Sequence, residues 1–118
     1  MTDAQKQSLI RHLAGVMEWT CQPSCPVDGY SSTSFLDEYG HERRLDPTSW
    51  LDAGMVWERA REMGVYVTLH GNPKEGWKAY YPIDLHRSLT LERADADSGP
   101  LALCLAVARA TGWEEPCE

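Results

Sequence analysis

Two closely spaced cysteines form the most metal-like pattern in the sequence. Cys21-Gln-Pro-Ser-Cys25 offers two thiolates to one ion, and His41 or Cys117 could supply further ligands of a tetrahedral zinc site. A structural zinc site usually contains a second close pair of ligands, whereas the remaining candidates here are scattered. Two interpretations stay open: a zinc-stabilised interaction module, or two free cysteines in a proline-rich loop and no cofactor.

Acidic residues precede the most apolar segment of the chain. Asp95 and Asp97, with Glu92 nearby, carry oxygen atoms that could bind a divalent cation or anchor a general base. Carboxylates ahead of a helix also cap its free amides and favour its dipole. We interpret these residues first as the start of a helix.

Familiar catalytic motifs do not occur in the sequence. Gly-x-Ser-x-Gly, a phosphate-binding loop and His-Glu-x-x-His are all absent, and His41-Glu42 matches only the first two residues of the last motif. Cys104 lies in an apolar segment, and no histidine is placed to activate it or Cys117. The sequence therefore predicts a protein that is not an enzyme.

Length and charge limit the kinds of partner that we expect. The 118 residues suit a single domain over 1–118, and 18 acidic against 11 basic residues give a net charge of -7. This charge repels phosphate backbones, so nucleic-acid binding is unlikely even though Arg43-Arg44 could meet one anionic group. Without a signal-like or membrane-spanning segment, we expect a cytoplasmic protein with reduced cysteines and no membrane partner.

Hydrophobic spacing and capping residues predict the first two helices. Thr2 and Gln5 form a capping-box pattern before a helix over 3–18, with His12 on its exposed face. Asp46 before Pro47 predicts the N-terminus of a helix over 47–63 that ends at Gly64. One face of this second helix would pack near a sheet, and it carries Trp50, Ala53, Gly54, Trp57 and Ala60. Another face would meet water, and it carries Asp52, Glu58, Arg59, Arg61 and Glu62.

The last predicted helix is apolar on nearly every side. Residues 101–110 contain one charge, Ser98 or Asp97 can cap the segment, and Gly112 can end it. Such a helix must be covered on nearly every side, so we expect it to anchor the core.

Alternating patterns predict a three-strand antiparallel meander. Residues 65–70 and 77–83 alternate with a period of two around a turn at 71–76, and a third strand follows at 88–93. Pro82 predicts that the second strand ends early or lies at an edge.

The segment 20–46 is the least regular part of the chain. Within it, 34–37 and 41–45 flank Glu38-Tyr39-Gly40, which predicts a short hairpin with glycine at a positive φ. The predicted fold class is therefore α+β: a small antiparallel sheet, made of the meander plus this hairpin, packed with three helices in an α/β/α sandwich-like arrangement.

One face of the meander is the leading candidate for a binding surface. If the apolar face packs on the helices, the opposite face is polar and aromatic, with Tyr66, Thr68, His70, Lys78 and Tyr80. It could be solvated, covered by another helix, or used for binding. One ligand class would be a signalling nucleotide, with Tyr66, Tyr80 or a tryptophan stacking on bases and Arg43, Arg44, Lys78 or Arg87 meeting phosphates.

Three stretches of the sequence resemble the bacteriophage ABA-sandwich domain. They are Trp57-Glu-Arg-Ala-Arg-Glu-Met-Gly64 before a strand, the segment 94–110, and Leu13-Ala-Gly-Val-Met-Glu-Trp19 with the later Leu45-Asp-Pro-Thr-Ser-Trp-Leu51. The segment 21–34 departs from that family. The resemblance implies a small phage or prophage protein with a sheet between helices, and it supplies no catalytic residues.

These observations favour a non-catalytic accessory protein that acts by binding its partner, without catalysing a reaction. We expect a host protein or small ligand as the partner, in host takeover or defence evasion, with homo-oligomerisation possible. The nucleotide sponge and the zinc module remain alternatives.

Overall fold

The computed structural model describes residues 1–21, 34–82 and 91–115. It confirms the α+β class, with three helices, the antiparallel meander and the short hairpin, but the meander and the hairpin belong to two separate sheets rather than to one. The elements in chain order are α1 (Asp3–Val16), β1 (Thr20–Cys21), β2 (Phe35–Leu36), β3 (Glu42–Arg43), α2 (Trp50–Glu62), β4 (Thr68–Asn72), β5 (Gly76–Pro82), β6 (Leu91–Ala96) and α3 (Gly99–Ala110). No helix in these ranges has the length and apolarity needed to cross a membrane.

Helix α1 begins with the predicted capping box and ends two residues early. Thr2 Oγ1 accepts the Gln5 amide at 3.2 Å, and Gln5 Oε1 accepts the Thr2 amide at 2.9 Å. The end is set at Glu18, whose φ of 63° reverses the chain so that the Trp19 amide donates to Ala14 O. Trp19 folds back against the core in this way.

Helix α2 starts three residues later than the sequence predicts, so Asp46 is not its N-cap. The Asp46 carboxylate instead accepts the amide and hydroxyl of Thr48, at 2.9 and 2.6 Å, in a turn built around Pro47. Ser49 then caps the helix by accepting the Asp52 amide at 3.5 Å. Gly64, at a φ of 86°, ends the helix region as predicted.

Helix α3 anchors the core as predicted. Ser98 Oγ accepts the Leu101 amide at 3.1 Å, and every residue from Ala102 to Ala108 is buried. The helix packs against β5 and β6 on one side and against α2 and α1 on the others. In the described residues α3 is thus a middle layer, which explains why it carries almost no polar side chain.

The meander has the strand order β4-β5-β6, with both pairs antiparallel. The first strand starts at Thr68 rather than residue 65, because α2 engages the preceding backbone: Val65 N donates to Ala60 O, and Val67 O accepts the Trp57 indole. β5 ends at Pro82, but it is the central strand of the meander. The prediction that this strand could lie at an edge of the sheet was therefore wrong.

The third strand extends three residues beyond its predicted end at 93. It covers 91–96, and residues 83–90 lie outside the described part of the chain. Its inward residue is the fully buried Ala94, whereas Leu91 is 56% exposed. The leucine pattern misled the prediction because Leu91, three positions before Ala94, lies on the opposite, outward face of the strand.

The predicted hairpin forms from β2 and β3, and Gly40 has a φ of 78°. An unpredicted strand, β1, pairs with β2, so that Thr20 lies opposite Leu36. Residues 22–33 of the irregular segment lie outside the described ranges.

Candidate functional site

The outward face of the meander carries a row of polar and aromatic side chains. Cross-strand pairing places Thr68 beside Tyr80 and Tyr80 beside Arg93, while Lys78 lies between His70 and Asp95. All are exposed except the half-buried Tyr80, whereas Ala79, Tyr81 and Ala94 are buried on the inward face. The predicted division of the two faces is confirmed for Thr68, His70, Lys78 and Tyr80, but not for Tyr66, which lies before β4. We call Thr68, His70, Lys78, Tyr80, Arg93 and Asp95 the open face.

A depression of about 480 Å³ lies at one end of the open face. Its lining includes His70, Lys78 and Tyr80, together with Glu75 and the bare backbone of two glycines. At Gly71, with a φ of 134°, an added Cβ would lie 2.8 Å from the Trp77 Cα and closer still to Gly76 O. Gly71 is therefore confined to glycine by the neighbouring strand, and both glycines contribute only backbone to the lining of the depression.

The groups around this depression suit recognition rather than bond-making chemistry. The His70 and Tyr80 rings meet edge to face, with centroids 5.8 Å apart. Arg93 Nε pairs with Asp95 Oδ1 at 3.0 Å, whereas Lys78 has no ion-pair partner among the described residues. Aromatic edges, one unpaired ammonium and exposed backbone can together hold a polar or acidic group.

The other predicted ligand-binding residues lie apart from this depression. Tyr66 precedes β4 and lines a separate depression with Glu58, Arg61 and Glu62. Arg43 Nε pairs with Asp37 Oδ2 at 2.9 Å, and Arg44 Nη2 lies 3.6 Å from Glu42 Oε1. The structure therefore brings together His70, Lys78 and Tyr80, but neither arginine nor Tyr66. Arg87 lies outside the described residues.

The predicted zinc ligands fall mostly outside the described part of the chain. Cys25 and Cys117 belong to undescribed ranges, and for Cys21 only the backbone is described. His41 is exposed, with its ring centroid 6.3 Å from that of Tyr39. In the described ranges, no three His, Cys, Asp or Glu side chains form a group that could hold a metal. The zinc module stays a prediction.

A second cleft, which the sequence did not reveal, lies where the end of α1 meets the hairpin and α2. It measures about 340 Å³, and its lining includes Trp19, Tyr39 and Met55. Arg59 joins its walls: Nη2 lies 3.0 Å from Glu18, and Nε donates to Val16 O at 3.1 Å. The prediction that Arg59 faces water was wrong, because the guanidinium closes the C-terminus of α1.

Asp37 organises the hairpin at the edge of this cleft. Its carboxylate accepts the amides of Tyr39 and His41 and the Arg43 Nε, each at 2.9 Å. Desolvation opposes ionisation, but these donors together lower the pKa of Asp37 below its usual value. Its place at the first position of a four-residue turn ending in glycine was the sequence signal that could have identified this role.

Two further titratable groups have a structural role rather than a chemical one. Burial is the main cause that raises the pKa of the Cys104 thiol to about 12, and the charges of Asp52 and Asp46 act in the same direction. The thiol is thus protonated at neutral pH. His12 is half-buried rather than exposed as predicted: its Nε2 lies 2.7 Å from Thr111 Oγ1, and burial lowers its pKa.

Comparison with protein-family models, curated proteins and solved structures finds no match to this chain. The resemblance to the phage ABA-sandwich domain therefore remains a prediction from the sequence.

Proposed function

We propose that this protein is a non-catalytic binding protein, encoded by a phage or prophage, that occupies a host protein or small ligand through its open face. The observation that carries the proposal is the depression at His70, Lys78 and Tyr80, where three outward side chains lie beside the backbone of two glycines. The origin rests on the sequence resemblance alone.

The surroundings of the reactive groups support binding without turnover. Cys104 is buried with a raised pKa, and Asp37 and Asp46 hold turns through several hydrogen bonds. His70 contacts the Tyr80 ring, and no hydrogen bond to a carboxylate is found for it within the described ranges. A catalytic histidine generally needs such an orienting partner.

The charge of the depression indicates the kind of group that it would hold. Lys78 has no ion-pair partner among the described residues, and it shares the depression with Glu75 on a molecule whose net charge is -7. An acidic or hydrogen-bond-accepting group could approach it locally, and the two rings would contact an adjoining apolar part. This chemistry fits an acidic patch of a protein or a small anionic ligand.

The test compares two lysines of one hairpin. Lys78 lies in the depression, whereas Lys74 lies in the exposed turn between β4 and β5, so Lys78→Glu and Lys74→Glu make the same change in net charge. We expect a partner captured from host lysate, or a metabolite extracted from the purified protein, to be lost with Lys78→Glu and kept with Lys74→Glu. Lys78→Glu would set a carboxylate against the bound acidic group, and such like-charge contacts at an interface cost on the order of several kcal/mol, so the loss should be plain.

Two results would contradict the proposal. One is a partner bound equally by both variants, which would remove the open face from its recognition. The other is turnover of a nucleotide or peptide by substoichiometric amounts of the purified protein, which would make it an enzyme.

A further inference from the structure

A second surface lies between helix α2 and the outer strand β4. Trp50, Gly54 and Trp57 are spaced so that they fall on one flank of α2. Trp50 is 58% exposed and Trp57 is 37% exposed, which is high for indoles next to a core. We call this flank and the adjoining edge of β4 the edge groove.

Two contacts place this flank alongside β4. Trp57 Nε1 donates to Val67 O, just before the strand, at 3.0 Å. The Trp50 ring meets Trp77 edge to face with centroids 5.6 Å apart, and Trp77 is the cross-strand partner of Gly71 in β4. The two indoles therefore lie near opposite ends of the strand.

Gly54 leaves a gap between the two indoles. A Cβ added at Gly54 would have no neighbouring atom within 4 Å. Glycine in the middle of a helix lowers its stability, and neither a positive φ nor a close neighbour requires it here. A side chain that approaches Gly54 from outside would therefore meet open space rather than a neighbouring atom.

The edge of β4 has no charged residue or proline that would oppose pairing with another strand. Its residues, Thr68-Leu69-His70-Gly71-Asn72, include no Lys, Arg, Asp, Glu or Pro, and β5 is its only strand neighbour in the described ranges. The other outer strand, β6, carries Glu92, Arg93 and Asp95. Of the two outer strands in the described meander, β4 is therefore the one whose edge carries no charged side chain.

We infer that the edge groove binds an extended, basic segment of another protein, which pairs with β4 and inserts an apolar side chain beside Gly54. β-strand addition of this kind takes affinity from main-chain hydrogen bonds and specificity from pockets for alternate side chains. The edge groove shares β4 with the open face, but its indoles lie apart from the depression at His70, since neither Trp50 nor Trp57 lines it.

Charge selects a basic partner segment rather than a second copy. Two copies would each bring a net charge of -7 and repel one another. Tyr66, which precedes β4 in the chain, is 67% exposed. It shares a depression of about 420 Å³ with Glu58, Arg61 and Glu62. A lysine or arginine of the segment would stack on Tyr66 and meet Glu58, which has no ion-pair partner among the described residues.

The experiment selects random short peptides displayed on particles against the purified protein. We expect the enriched peptides to alternate apolar and polar residues and to contain lysine or arginine. A synthetic peptide of the enriched sequence should bind about tenfold more weakly to Gly54→Gln, which fills the gap, and within about twofold of wild type to Gly54→Ala. Thermal unfolding of both variants controls for folding, since either substitution should favour the helix.

Several outcomes would overturn the inference. They are the absence of any enriched peptide, enriched peptides without basic residues, and equal binding to wild type and Gly54→Gln. Sedimentation of the protein alone provides a further check: a dimer that Gly54→Gln dissociates would identify a second copy as the occupant instead.

Discussion

Gly99 and Gly54 both lie in helices, but their surroundings are opposite. A Cβ on Gly99 would meet Trp50 Cζ2 at 2.7 Å and Trp77 Cδ2 at 3.2 Å, whereas a Cβ on Gly54 would meet nothing within 4 Å. At Gly99 the absence of a side chain lets the two indoles pack over the first turn of α3. The same residue type thus serves packing at one position and leaves a gap at the other.

We predict opposite effects of one substitution at these two positions. Gly99→Ala should destabilise the protein by about 1–3 kcal/mol, because the indoles must shift and lose their edge-to-face contact. Gly54→Ala should stabilise it by about 0.5–1 kcal/mol, because alanine favours the helix. Urea unfolding followed by tryptophan fluorescence measures both, and a loss of stability in Gly54→Ala would show that the gap is filled in the folded protein.

At the scale of elements, the hairpin of β2 and β3 depends on one carboxylate. Asp37 joins both strands through the amides of Tyr39 and His41 and the side chain of Arg43. Its side chain is only 7% exposed, so these contacts are shielded from solvent more than those of a surface ion pair.

The hairpin should therefore loosen in acid. The pKa of Asp37 is lower in the folded protein than its ordinary value of 3.8, so its stabilisation is complete above that value and is lost as the pH falls through the folded pKa. We expect the protection factors of the Tyr39 and His41 amides, corrected for the intrinsic exchange rate, to fall below about pH 4 in wild type and to be lower but independent of pH in Asp37→Asn, which loses the ion pair with Arg43.

The neighbouring Glu38→Gln is the matched control, since Glu38 is exposed. It should keep the pH profile of wild type. If Asp37→Asn and wild type show the same amide protection at pH 6, the carboxylate does not hold the turn.

Over the whole molecule, prediction of the fold from the sequence was most accurate where a single physical cause determines the local structure. The run 101–110 has no polar face, so it had to become the covered helix, and a short connection forced antiparallel pairing of β4 and β5. The open face followed from strand alternation, which placed His70, Lys78 and Tyr80 together.

The errors arose where contacts between distant residues compete with local patterns. The start of β4 depends on the Trp57 indole ten positions away, and the burial of His12 depends on Thr111 at the other end of the chain. Asp46 and Ser49 are both good N-caps, and only the local turn at Thr48 selects Ser49. The choice between these two caps is local, whereas the start of β4 and the burial of His12 are decided by tertiary contacts, which leave little trace in periodicity.

The two ends of the described chain are tied together through α1 and α3. The indole Nε1 of Trp113 donates to Ser8 Oγ at 3.1 Å, and His12 Nε2 lies 2.7 Å from Thr111 Oγ1. Trp113 is itself buried beside the core, so its polar atom requires this partner. Because α3 is packed on the sheet, these bonds fix α1 to the rest of the protein.

A double-mutant cycle should detect this connection. We expect Ser8→Ala and Trp113→Phe to show a coupling energy of about 0.5–1.5 kcal/mol in urea unfolding, since each removes one partner of the same hydrogen bond. Ser8→Ala combined with Trp57→Phe is the control: the Trp57 indole donates to Val67 O and shares no partner with Ser8, so their effects should add. If the Ser8 and Trp113 effects also add, packing of the indole alone, and not its hydrogen bond, holds α1 against the end of α3.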